Sequence, residues 1–197
     1  GYSSKVFYDG KLSAHPSVAG QVLLQKESPL AFIDTAGCGF DEKQEGTSLS
    51  NKEEAEFLLK HLSKYVSDLR LQYSLNDFPG IAIISPYKTQ VHMLRELILE
   101  VEELMPVINK IAINTVDSFQ GQERDVVYIS LTRSNNEGNI GFLSDTRRMN
   151  VALTRAKKKL IVVGDSATIA GSNFYAGFIK YAEDLNMYSS AWEFAEA

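Results

Sequence analysis

Short apolar runs punctuate this chain, and most are unbroken and rich in β-branched residues rather than alternating. Such runs at 30–34, 80–85, 110–114, 125–132 and 159–165 predict strands buried on both faces. Between them, apolar residues recur at helical spacing. Ala55, Leu58, Leu59, Leu62, Val66 and Leu69 share one helical face, and Val91, Leu94, Leu97 and Ile98 share another. A third face carries Phe174, Phe178, Ile179 and Ala182 over 173–185, and a further helix is predicted over 145–156. Ser50 and Glu53 read as a capping box that opens the first helix, and Pro86 suits the first turn of the second. Residues 35–48 are loop by composition. Strands and helices in alternation predict an α/β fold, a parallel sheet covered by helices on both faces. Ligands of such sheets sit at the carboxyl ends of strands, which directs attention to the loops after Ser85, Asn114, Thr132 and Gly164. No internal repeat and no low-complexity tract interrupts the pattern.

The 197 residues suit one domain, and the 44% apolar and 23% charged fractions are ordinary for a globular protein. No run approaches the roughly 20 apolar residues of a membrane helix, and the polar opening is no signal peptide. Because the chain does not open with Met, it reads as a piece of a longer polypeptide. A lone cysteine, Cys38, leaves no internal disulfide or cysteine-built zinc site and suggests a reducing, intracellular (cytoplasmic) setting. The net charge of −5 argues weakly against nucleic-acid binding. Its distribution is uneven: Arg147, Arg148, Arg155, Lys157, Lys158 and Lys159 face only Asp145 between 143 and 160. That allows a basic site on an acidic body, although a solvated charge run explains the charges alone more simply.

Two stretches carry chemistry. In the first, 113–135, a strand ends at Asn114 and a donor-rich turn follows with Thr115, Asp117, Ser118, Gln120 and Gly121. Gly121 lets the backbone approach a phosphate, and Glu123 can accept from ribose hydroxyls. A polar loop with a glycine for geometry alone fits that stretch equally well. In the second, 141–165, Arg147, Arg148 and Arg155 cluster around the apolar Met149, Val151, Ala152 and Leu153. Arg148 and Arg155, seven positions apart on a helix, share a face. An arginine where this helix meets a strand suits a transferring phosphoryl group. Cations complementing a helix dipole explain Lys157, Lys158 and Lys159 well, and Arg155 less well.

TVDSFQGQERDVV (115–127) resembles motif V of Upf1-like superfamily 1 helicases, and RRMNVALTRAKKKLIVVGD (147–165) resembles their motif VI. IISPYKTQ (83–90) and FYDGKL (7–12) resemble further segments of that family in the same order, so the likeness runs from residue 7 to about residue 166. The resemblance implies the second RecA-like domain of the motor, with the P-loop NTPase fold but without the P-loop. It implies that Arg155 reaches the γ-phosphate of ATP held by a neighbouring domain. Gln120, Gly121 and Glu123 would touch the nucleotide from this side. Thr115, Pro86, Tyr87 and Asn150 would lie along a single strand of DNA or RNA, and Arg148 would support motif VI.

No G-x-x-x-x-G-K-S/T pattern occurs, and no Asp-Glu pair ends an apolar strand to anchor Mg²⁺. In the family these belong to the first RecA-like domain, and a Gln-Tyr-Arg motif would stand just before Gly1. The expected partners are therefore single-stranded nucleic acid and that first domain, with ATP and Mg²⁺ held mainly there, and no membrane. A RecA-like binding module without ATP chemistry is the rival reading, and the intact Glu123 and Arg155 speak against it. DTAG (34–37) mimics a GTPase switch but lacks the accompanying motifs. His15, His61 and His92 read as surface or boundary residues, and Trp192 as a packing anchor.

Overall fold

The computed structural model describes residues 22–119 and 121–194. Six strands form one parallel sheet: β1 (Leu30–Asp34), β4 (Ile81–Ser85), β5 (Ile111–Thr115), β6 (Arg124–Ser130), β7 (Ala156–Gly164) and β8 (Tyr188–Ser190). Their order across the sheet is β5-β4-β6-β7-β1-β8, the parallel α/β arrangement of RecA-like folds. The continuous apolar runs follow from this: alternate residues of each central strand feed opposite layers. Ile81, Ile83, Val126, Tyr128, Ile161 and Val163 pack beneath α1 (Lys52–Arg70) and α2 (Lys88–Leu97). Ala82, Ile84, Val127, Ile129 and Val162 pack on the other side. There they meet α3 (Thr146–Leu153), the single turn α4 (Ser166–Ile169) and α5 (Asn173–Asp184).

Several expectations need correction. The predicted loop at 35–48 contains most of a small antiparallel hairpin, β2 (Lys43–Glu45) and β3 (Ser48–Ser50). The hairpin is too short and polar to leave an apolar signature. The helix α1 is capped by Asn51, not Ser50. The Asn51 side chain accepts from the Glu54 N–H, while the Ser50 hydroxyl donates to Glu45. Asn51 wins because its own N–H and C=O are both taken by the Gln90 amide, which holds it at the helix start. Pro86 lies just before the helix rather than in its first turn, since Tyr87 is the N-cap of α2. The helix α3 ends at Leu153, so Arg155 stands beyond it and does not share a helical face with Arg148. Trp192 is 60% exposed and anchors nothing; Phe194, in the same turn, packs against Phe57 and His61. The strand β8 went unrecognised because its three residues, YSS, carry no apolar run.

Candidate nucleotide and nucleic-acid sites

The segment from β5 to β6 travels from the carboxyl edge of the sheet back to its amino edge. It leaves Thr115 at the tip of β5, turns through a short 3-10 segment (Asp117–Phe119), and re-enters the sheet at Arg124. Phe119 is buried and pins the crossing to the sheet, and Gly121 turns it with φ +77°. Open space surrounds Gly121 where a side chain would start, so the backbone is bare to solvent. Glu123 nearby is exposed, and its carboxylate has no hydrogen bond or ion pair among the described residues. Gln120 lies outside the described residues.

Arg155 meets this turn. Its backbone carbonyl accepts from the Arg124 N–H at 3.0 Å. Its guanidinium donates to the carbonyls of Val151 at 3.1 Å and Gln122 at 3.4 Å, and to the Thr154 hydroxyl at 3.3 Å. Gly121, Glu123 and Arg155 therefore gather at the amino ends of β6 and β7. They stand at the opposite edge of the sheet from Ser85, Thr115 and Ser130, where β4, β5 and β6 end.

The other group lies at the carboxyl edge of the same sheet. Ser85 pairs in register with Thr115, which brings Pro86 beside the Thr115 tip. The Thr115 hydroxyl is 3.1 Å from that of Ser118. Tyr87 is only 2% exposed, and its ring lies 5.4 Å from that of Phe142, which is 53% exposed. Tyr87 thus supports this surface from below, and Phe142 offers the open ring.

The helix α3 connects the two groups. Arg148 lies 3.2 Å from Asp117 and 3.9 Å from Asp145, tying the helix to the crossing segment. Asn150 is buried within α3, with its side-chain oxygen unpaired. Arg147 and Lys157 are exposed, whereas Lys158 pairs with Asp125, and Lys159 is buried against Glu27 and the Ser28 carbonyl.

A polar network beneath the carboxyl edge was not foreseen. Glu54 is fully buried, and one oxygen accepts from the Ser130 hydroxyl at 2.5 Å and the Thr132 N–H at 2.9 Å. Burial drives the Glu54 carboxyl up to about 7, aided by Asp165 and opposed by the Ser130 and Thr132 hydrogen bonds. Thr132 adopts φ +70°, a conformation a β-branched residue avoids. It is held there by Glu54, by the Asn51 amide on its carbonyl and by the Ser85 hydroxyl. The next residue, Arg133, is thereby aimed at Glu42, which it grips with two bonds of 2.8 and 3.0 Å. The sequence signal was Glu54 itself, a carboxylate among the apolar positions that α1 buries. Asp34 of the DTAG segment is likewise structural: it accepts from the Ser166 N–H and hydroxyl and from the Tyr188 hydroxyl. No group of three or more potential metal ligands occurs among the described residues, and none of their helices is long and apolar enough to cross a membrane. His61 is half-buried, as expected of a boundary residue, and burial, with Lys159 and Lys64, lowers its imidazole to about 4.

A six-stranded parallel sheet covered by helices is the RecA-like arrangement, and Arg155 stands beside the bare Gly121 turn at its amino edge. The chain belongs to the Upf1-like superfamily 1 helicase family: a family model described as "AAA domain" matches residues 1–167. It is 35% identical to DNA-binding protein SMUBP-2 of Rattus norvegicus, an alignment covering 99% of this chain and 20% of that protein. It is 36% identical to the probable helicase MAGATAMA 3 of Arabidopsis thaliana, covering 94% of this chain and 23% of that one. An ATP-dependent helicase of Methanocaldococcus jannaschii is 35% identical, over 93% of this chain and 27% of its own length. The chain thus spans about a fifth to a quarter of these relatives.

Proposed function

We propose that this chain is the second RecA-like motor domain of an ATP-dependent helicase that moves along single-stranded DNA or RNA. The observation that carries the reading is the separation of two groups across one sheet. Arg155, Gly121 and Glu123 stand at one edge, and Thr115, Pro86 and the Tyr87–Phe142 pair at the other.

The first group suits one wall of an ATP site. Arg155 offers a planar fork that can leave its long contacts to Gln122 and Thr154 and turn to a phosphoryl group. Gly121 keeps the backbone low enough for close approach, and Glu123 offers an unspent acceptor to a ribose. Gln120 belongs to the same wall by its place in the motif. Mg²⁺ and most of the phosphate contacts are assigned to the first RecA-like domain. Bound ATP supplies the phosphoryl transfer that drives the motor, and Arg155 stabilises charge as it develops there.

The second group suits a backbone track. Thr115 donates to a phosphate, Pro86 and Tyr87 shape the floor, and Arg148 braces α3, with its buried Asn150, against the crossing segment. The crossing segment has one end at each site, so a shift at the nucleotide wall is felt at the strand. The test is ATP hydrolysis by the full-length protein with and without single strands. Stimulation by the strand, lost in Thr115→Ala, supports the motor. Hydrolysis indifferent to nucleic acid contradicts it.

A further inference from the structure

The carboxyl edge holds a cleft of about 380 Å³ between the β2–β3 hairpin and the Tyr87–Phe142 pair. That volume falls in the roughly 300–1,000 Å³ range of small-molecule sites. Its construction is specific. Glu54 and Asn51 hold Thr132 in its unfavourable turn, and that turn sends Arg133 into the cleft wall, where it grips Glu42. Arg133 also donates to the Tyr87 hydroxyl, which accepts a second bond from the Phe142 N–H. The chain passes so close here that a side-chain carbon at Gly141 would lie 2.0 Å from the Arg133 guanidinium. Glycine is required at that point, and it delivers Phe142 over Tyr87 with its ring half open.

The chemistry of the cleft excludes a phosphate. Arg133 is the only cation in its lining, and it is buried and spent on Glu42. The Glu42 carboxylate would repel an anion. What remains is an open aromatic face, together with amides that keep bonding capacity: the Gln44 oxygen and the Asn139 nitrogen have no partner among the described residues. A flat, uncharged ring with edge donors and acceptors matches both. We infer that this cleft receives one nucleobase of the bound single strand, stacked on Phe142, while the backbone follows Thr115 and Pro86. The inference rests on the motor reading above. It adds a base-holding position to a track otherwise made of backbone contacts, and so a place where the strand is gripped one nucleotide at a time.

The test uses the full-length protein and single-stranded DNA in which one abasic residue is walked along the oligonucleotide, with binding read by fluorescence anisotropy. In the wild type, one position should weaken binding by roughly 10-fold, the scale of one lost stacking contact. Phe142→Ala should weaken binding of the intact strand by a similar factor and abolish the positional effect. Phe142→Trp should keep both, whereas Phe142→Leu, which still covers Tyr87 without a π face, should behave as alanine. A flat abasic profile in a wild type that binds the intact strand overturns the inference and leaves the motor reading standing. Unchanged binding in a folded Phe142→Ala does the same. A wild type that binds no single strand overturns both.

Discussion

The carbonyl of Arg155 accepts a hydrogen bond of 3.0 Å from the backbone N–H of Arg124, so motif VI is fastened to motif V where both enter the sheet. The fastening sets where the Arg155 side chain begins. The guanidinium then reaches the Gly121 turn through its contact with the Gln122 carbonyl.

Gly121 separates conformation from approach. It adopts φ +77° with open space around it, so Gly121→Ala meets no clash and costs only the left-handed backbone, about 1–2 kcal/mol. Thermal melts should show that modest loss. On the proposed reading ATP turnover by the full-length protein should fall much further, because the added methyl would stand where the nucleotide approaches. Equal, small effects on both would reduce Gly121 to a turn residue.

Glu54 makes stability depend on pH in a defined direction. Its carboxyl titrates near 7 when folded and near 4.3 when unfolded, so the folded state holds the proton more tightly. The stabilisation is complete below about pH 4.3, is lost as the pH rises toward 7, and changes little above that. Glu54→Gln keeps an acceptor for Ser130 and Thr132 but cannot ionise. The melting temperature of Glu54→Gln relative to wild type should therefore rise between pH 5 and pH 8. A difference that stays constant over that range would mean that Glu54 ionises as easily in the fold as in water.

Much of this was legible in the sequence, and the rest was hidden for physical reasons. The central strands announced themselves because both faces are buried, leaving no polar alternation in IAIIS or in the middle of RDVVYIS. The short edge strand β8 and the β2–β3 hairpin bury too little to leave a pattern. Motifs V and VI were readable as candidate site residues, yet their arrangement was not. Spacing cannot reveal that the helix ends at Leu153, two residues before Arg155, or that the crossing segment carries Gly121 and Glu123 to the amino edge. The base cleft depends on Thr132, Arg133 and Gly141, whose roles come from contacts between distant residues.

The chain alone should hydrolyse no ATP above background, since it contains no phosphate loop and no strand-ending carboxylate pair. Magnesium-dependent turnover by the purified chain would place the whole ATP site within these residues and contradict the two-domain account.

Binding of single strands by the isolated chain should be weak and fall steeply with salt. On the proposed reading the chain carries only part of a groove, on a body of net charge −5. Anisotropy titrations between about 50 and 200 mM salt read the slope directly. Tight binding that persists at high salt would mean a complete site of a different kind.

Steady-state ATP hydrolysis by full-length protein bearing Arg155→Ala or Arg155→Lys, with thermal melts alongside, tests the central claim. The account predicts a loss of about 10³-fold or more in Arg155→Ala with folding preserved, because an arginine on the transferring phosphoryl group acts in the transition state. Arg155→Lys should be nearly as impaired, since lysine keeps the charge but not the planar fork. Strand affinity without nucleotide should hold in both. Turnover near wild type in a folded Arg155→Ala would contradict the account, leaving Arg155 a surface cation worth less than about 1 kcal/mol.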